Sequence, residues 1–382
     1  MAASAFFREH TGRILVVIFC AANVMAVLLH GTQLNVSPGV ICNVITHTVT
    51  KPAREGRSVI EGMSRKYKPS SLEELVVNNS HKIDVNVTNV DSLSPMCSLL
   101  ERSNTNLTTY LTDLDNYNSV LKRFDPLEKD IRSLILQSGV AACNKVLLSN
   151  ESKVINFFSS NQLSTSSVVG ALEPLLPPLR HPKFCHDKRM LMDMSYMVHD
   201  FYAMCLKLKP HARTIFVDMG ASLDFHGSSD MPAMYILNLY RKFGFHFDHI
   251  YAYEVTPKDP AEVFKKVPPE YLAAYHWMNV GVESDSKSSL NPLQMLAENY
   301  NKDDFIVVKL DIDTSFIEVP LVYQLVQDDR FIGLVDQFYF EHHVYLQELA
   351  RSWGKTMNGT VSESLRLFQS LRRKGIGAHS WV

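Results

Sequence analysis

Between residue 182 and the C-terminus, short apolar runs alternate with amphipathic stretches, and this rhythm constrains the fold more than any single motif. Residues 214–218 (TIFVD), 249–253 (HIYAY), 277–282 (WMNVGV), 305–310 (FIVVKL), 334–340 (LVDQFYF) and 377–382 (GAHSWV) have strand length and are largely apolar. That is the pattern of strands buried on both faces. Residues 232–243, 292–300, 317–327 and 362–374 lie between them and carry helical spacing, and 189–208 is a helix candidate ahead of the first strand. Strands and helices in alternation predict an α/β domain over 182–382, a Rossmann-like, doubly wound, mostly parallel sheet.

Ahead of this domain, residues 172–182 (LEPLLPPLRHP) hold four prolines, which block helix and remove donors. They mark the end of a stem over 33–181. Residues 31–105 are polar and predict little regular structure beyond a short helix near 71–77. Leu107, Leu111, Leu114 and Leu121 recur at helical spacing, and Asp125–Pro126 reads as the start of a second helix containing Leu134 and Leu136.

The run 14–29 (ILVVIFCAANVMAVLL) carries no charge. Arg8 and Arg13 precede it, and the next cation is Lys51. This asymmetry predicts a cytosolic tail over 1–13, a transmembrane helix over 14–32, and the remainder in the lumen of the secretory pathway, Golgi or endoplasmic reticulum. A cleaved signal peptide leaves the body of the chain on the same side. Asn-x-Ser/Thr acceptors at Asn35, Asn78, Asn86, Asn106, Asn150 and Asn358 agree with that compartment. Cys20 lies in the apolar run. Cys42, Cys97, Cys143, Cys185 and Cys205 allow up to two disulfides, with pairing left open by spacing. The net charge is −2 with no basic block, which argues against a nucleic-acid surface. Nothing in the sequence fixes an oligomeric state.

Ligands of open α/β sheets bind beyond the carboxyl ends of the strands. The first strand ends in Asp218-Met219-Gly220-Ala221, where a glycine lets backbone approach a ligand. The second ends in Glu254, placed to accept the hydroxyls of a ribose. The fourth ends in Lys309-Leu310-Asp311-Ile312-Asp313, and period two predicts Asp311 and Asp313 on one side. The fifth ends in Glu341-His342-His343. His342, His343 or His226 can act as a general base. Asp311, Asp313, Glu341 and His342 together offer a ligand set for a hard cation such as Mg²⁺.

The succession VDMGAS, YAYEVTP, VVKLDID with Glu318, FYFEHH and a last helix before HSW resembles the FkbM group of S-adenosylmethionine-dependent methyltransferases, over 214–382. The resemblance implies a fold of the class I methyltransferase type and S-adenosylmethionine as cofactor. Asp218, Gly220 and Ala221 would line its methionine side and Glu254 would bind its ribose. Asp311 would lie beneath the transferred methyl, with Glu341 and His342 bordering the acceptor. The acceptor expected in this compartment is a hydroxyl of a glycan or small molecule. The chain departs from the family pattern at Thr314, where a glycine is usual, and in a longer loop over 222–230.

Two other classes of function fit the same residues. Asp311-Ile312-Asp313 is also a DxD pattern, which with a type II anchor and stem describes a glycosyltransferase holding a metal–nucleotide-sugar diphosphate. A non-catalytic, anchored Rossmann scaffold is the third reading, favoured by Thr314.

Overall fold

The computed structural model describes residues 67, 69–82, 84, 93–123, 172–176, 179–201, 204, 211–224, 231–242 and 245–382, and three strands within 15–46. The chain divides into two compact units, Met1–Met63 and Ser64–Val382. In the first unit, β1 (Leu15–Cys20) pairs antiparallel with β2 (Asn23–Leu28) and β3 (Cys42–Thr46). The apolar run expected to be one transmembrane helix is thus recorded as two strands. Val16, Val17, Ile18, Val24 and Val27 are β-branched there, a composition that suits strands. No described helix is long and apolar enough to cross a membrane.

The second unit is built on six parallel strands: β4 (Thr214–Met219), β5 (His249–Tyr253), β6 (Tyr275–Met278), β7 (Phe305–Leu310), β8 (Gln337–Phe340) and β9 (Gly377–Ser380). Their order is β6-β5-β4-β7-β8-β9. Counted from β4, this is the 3-2-1-4-5-6 order of a doubly wound Rossmann-like sheet, so the expected α/β class is present. The central strands β4, β7 and β8 are buried along their whole length, as their unbroken apolar runs require. Helices α4 (Pro232–Lys242), α5 (Pro260–Lys266), α6 (Pro292–Asn299), α7 (Ser315–Gln327), α8 (Ala350–Trp353) and α9 (Val361–Arg373) connect the strands. Side chains fix several helix starts: Asn291 accepts from Leu293 N and Gln294 N, and Thr360 with Glu363 forms a capping box. In this fold the chain reverses between β4 and β7, and the crevice opens at their carboxyl ends.

Helices α1 (Ser71–Asn78), α2 (Leu93–Arg102) and α3 (Asn104–Arg123) share their core with this sheet. A buried network ties them in. Arg372 on α9 donates to Glu73 Oε2 at 3.3 Å and to Glu173 Oε1 at 3.1 Å, and His379 on β9 meets Glu173 Oε1 at 3.0 Å. The proline-rich segment lies against the core, with Leu172, Leu175, Leu176 and Leu179 buried. Cys97 on α2 is bonded to Cys185, closing a span of 88 residues.

Several elements differ from expectation. Where a helix is expected over 189–208, the first part holds short 3₁₀ turns, Lys188–Met192 and Met194–Tyr196, while Phe201 and Met204 are helical, with Met204 N donating to Asp200 O at 3.0 Å. Asp187 accepts from Arg189 N and Asp193 from Ser195 N, so local side chains start two separate turns in place of one helix. The strand expected over 277–282 runs earlier, Tyr275–Met278, because Asn279 turns in to donate to Glu254 O at 2.6 Å and Thr256 O at 2.9 Å. Helix α2 falls in the stretch expected to lack structure. Asn78, Asn106 and Asn358 are all exposed, as glycan acceptors must be. Asn35, Asn86 and Asn150, the helix expected after Asp125 and its residues Leu134 and Leu136, and His226 lie outside the described residues, as do Cys143 and Cys205.

Candidate functional site

The tips of β4, β5, β7 and β8 meet around one cavity of about 490 Å³, within the size range of small-ligand sites. Backbone bonds lace the rim together. Gly220 N and Ala221 N both donate to Tyr253 O, at 3.0 and 2.9 Å, and Asp311 N donates to Met219 O at 3.0 Å. Gly220 is forced by two circumstances. Its φ is +89°, and a Cβ there would overlap the Asp311 carbonyl oxygen and stand 2.7 Å from its carbon. No other residue type lets these tips approach so closely.

Of the residues expected at the site, Gly220, Glu254, Asp311 and Glu341 line the cavity, joined by Asp313. Asp218, Ala221 and His342 do not line it. Asp218 is buried beneath the rim, with Oδ1 accepting from Lys309 Nζ at 3.0 Å. Lys309 also donates to Gly220 O at 3.2 Å and lies 3.5 Å from Asp311 Oδ2. Asp218 therefore supports the glycine turn from below. Ala221 is buried and enters through its N–H alone. His342 turns away, stacked on Phe340 at 5.2 Å, with Nδ1 meeting no partner. Burial, aided by the neighbouring His343, lowers its pKa to about 4, so it is neutral at physiological pH and remote from the pocket.

His343 occupies the position expected of His342. Its Nε2 lies 3.0 Å from Glu341 Oε2 and 3.7 Å from Asp313 Oδ1. Residues two apart in extended chain share a side, and Glu341 and His343 obey that rule where Glu341 and His342 cannot. Asp311 and Asp313 both line the cavity, although they stand beyond the strand. The strand ends at Leu310, and Asp313 adopts φ +53°, with its side chain 80% exposed while that of Asp311 is 18% exposed.

Charge is unevenly distributed around the cavity. Among the described residues, its walls include the carboxylates of Asp224, Glu254, Asp311, Asp313 and Glu341, and no lysine, arginine or histidine. Burial raises the Asp311 pKa, and nearby Glu341 and Asp313 reinforce the rise against the opposing pull of Lys309. For Glu341, burial is outweighed by the hydrogen bond from His343, the charge of Arg180 and the Trp353 N–H, and its pKa falls. Arg180 Nη2 reaches Glu341 Oε1 at 2.9 Å and Trp353 Nε1 reaches it at 3.3 Å. Glu318, in the first turn of α7, accepts from Ile312 N at 2.8 Å and fixes the Asp311–Asp313 loop. Burial lifts its pKa to about 7.

Arg180, Lys309, Trp353 and Thr356 escaped the reading of the sequence as site residues. Lys309 stands inside an expected strand, and its unusual place in an apolar run was the signal available. Arg180 gave no such signal, because its partner lies 161 residues away. Val280, Gly281 and Val282 line the cavity on the side of Glu254, being freed for that by the early end of β6. No family model, curated protein or solved structure matches the chain.

Proposed function

We propose that this cavity binds the nucleoside cation S-adenosylmethionine and that the chain is a methyltransferase-like protein of the FkbM type, acting on a hydroxyl acceptor such as a glycan. The observation that carries this reading is the wall chemistry: among the described residues, five carboxylates and no basic side chain line a nucleoside-sized hollow at the switch point. Carboxylates accept and do not donate, so they suit hydroxyls, amines and a positive sulfonium. Phosphates call for arginine, lysine, clustered N–H donors or a bound metal ion, so without an ion a nucleotide-sugar diphosphate fits this wall poorly.

In this reading Glu254 takes the ribose hydroxyls, with Val280 and Val282 flanking the base. The cofactor supplies an electrophilic methyl group. Asp311, Asp313 and Glu341 lie at the opposite side of the cavity, where they orient the acceptor oxygen. Asp311, with its raised pKa, receives the hydroxyl proton near neutral pH. Placement is the main contribution of these residues, worth up to several kcal/mol when the attacking oxygen is held in line.

The Cys97–Cys185 disulfide supports an oxidising compartment, and the charge-free run over 14–29 supports delivery across a membrane, as anchor or as signal. Thermal-shift and calorimetric titration of the full chain test the assignment. S-adenosylmethionine is expected to raise the melting temperature by mass action, and UDP- or GDP-sugars are not. Stabilisation by a nucleotide sugar alone overturns the assignment, and stabilisation by neither leaves the scaffold reading.

A further inference from the structure

We propose that Asp313, Glu341 and His343 form a divalent-cation site at the edge of this cavity, with Asp313 and Glu341 on its wall and the buried His343 beside them. The three ligand atoms lie within 4.8 Å of one another. The argument turns on the orientation of the imidazole. His343 Nδ1 lies 2.6 Å from Thr356 Oγ1. The single hydroxyl hydrogen of Thr356 is directed to Trp353 O, also at 2.6 Å. Thr356 can therefore only accept from Nδ1, so the neutral ring carries its hydrogen on Nδ1 and presents the Nε2 lone pair to the carboxylates. When Nε2 gives up the proton it donates to Glu341, it faces Glu341 Oε2 at 3.0 Å and Asp313 Oδ1 at 3.7 Å, three electron-rich atoms among which a cation can take the proton's place.

The supporting contacts are those of a built metal centre. The second nitrogen of the imidazole is tied off by Thr356, and the ring is stacked on Trp353 at 4.7 Å. The far oxygen of Glu341 is held by Arg180 and Trp353. Such outer contacts orient ligands around an ion. Separations of 3.0 and 3.7 Å are close to those of adjacent ligands on an ion with bonds of about 2.0–2.2 Å. Asp313 is exposed, so the ion has a route of entry and open positions toward the cavity. One imidazole with two carboxylates favours a first-row transition ion, Mn²⁺ or Zn²⁺, over Mg²⁺ or Ca²⁺. The ligand set differs from the one the sequence suggests: His343 replaces His342, and Asp311 is engaged by Lys309 instead.

The ion's role rests on the methyl-transfer reading: it would hold the acceptor by an oxygen, selecting acceptors with a second oxygen beside the reacting hydroxyl. The site itself does not depend on that reading. Mn²⁺ binding to the full chain, followed by electron paramagnetic resonance and calorimetry, tests it. One ion per chain is expected. Asp313→Asn should weaken Mn²⁺ binding at least tenfold without unfolding, since asparagine tolerates the left-handed backbone of an exposed position. His343→Gln should weaken it as much. Asp224→Asn, at a cavity carboxylate paired with Lys266, should leave it unchanged. Absence of saturable binding below millimolar Mn²⁺ overturns the proposal, because a proton on Nε2 then suffices. Equal affinity in wild type, Asp313→Asn and His343→Gln overturns it too. S-adenosylmethionine titrated in the presence of a chelator separates the two readings: cofactor binding without metal binding sinks only the ion site, and the converse sinks only the nucleoside assignment.

Discussion

Replacing Gly220 by alanine tests whether the strand tips meet as closely as the site requires. The substitution has two costs, and the structure contains the control that separates them. Gly375 has φ +88°, nearly identical to the +89° of Gly220, but a Cβ at Gly375 meets nothing within 4 Å. Gly375→Ala therefore carries the conformational cost alone, about 1–2 kcal/mol for a left-handed L-residue. Gly220→Ala adds the clash with Asp311. The Asp311 carbonyl oxygen overlaps the added Cβ outright, so clearing it parts the tips by more than the roughly 0.7 Å that would take the carbonyl carbon from 2.7 Å to ordinary contact. Overpacking of that kind adds about 1–3 kcal/mol, for a total near 2–5 kcal/mol. It also disturbs the Lys309 bond to Gly220 O and the Asp311 bond to Met219 O. Urea unfolding of the two variants measures the difference, provided their m values agree. S-adenosylmethionine affinity should fall in Gly220→Ala only. Equal losses of stability in the two variants would refute the close approach and, with it, the shape of the cavity.

Other outcomes follow from the same geometry. Glu318 has its pKa raised from 4.5 to about 7 by burial, so the stability it contributes is full below pH 4.5 and is lost as pH rises through 7. The loss approaches about 3 kcal/mol in the alkaline range; Glu318→Gln should abolish it, and parallel pH–stability profiles for wild type and variant would contradict the assignment. Asp311→Asn is expected to weaken S-adenosylmethionine at least tenfold and the uncharged sulfide product less, which competitive calorimetry reads directly; equal weakening would mean that Asp311 does not sense the sulfonium charge. Reduction of Cys97–Cys185 should destabilise the chain by about 2–5 kcal/mol, as expected for a bond closing a long loop, with the change followed by thermal unfolding with and without reductant. Arg372→Ala strips Glu73, Glu173 and the Ala378 carbonyl of a buried partner and should cost about 3–5 kcal/mol, seen as a lowered urea midpoint.

Much of the site was legible before any coordinates, because its parts sit at the ends of apolar runs. Phe305–Leu310 and His249–Tyr253 are bounded as the apolar pattern predicts, and so Glu254 and Asp311 fall at strand tips. Choosing between His342 and His343 needed only the alternation of extended chain, applied to Glu341. The turns at 188–196 were less accessible, because Asp187 and Asp193 compete locally with a helix that the spacing of apolar residues favours.

The sequence by itself determined the class of the fold, the strand tips and the residues standing on them, since each depends on runs of neighbouring residues and their period. Only the tertiary structure decided what those tips do together. Arg180 reaches Glu341 across 161 positions, Lys309 joins Asp218 across 91, and the early turn at Asn279 brings Val280 and Val282 to the cavity. Such contacts arise from the order in which strands are laid side by side. Hydrogen-bond reach and the sign of the charge around the cavity are properties of distance in space, which no local periodicity encodes.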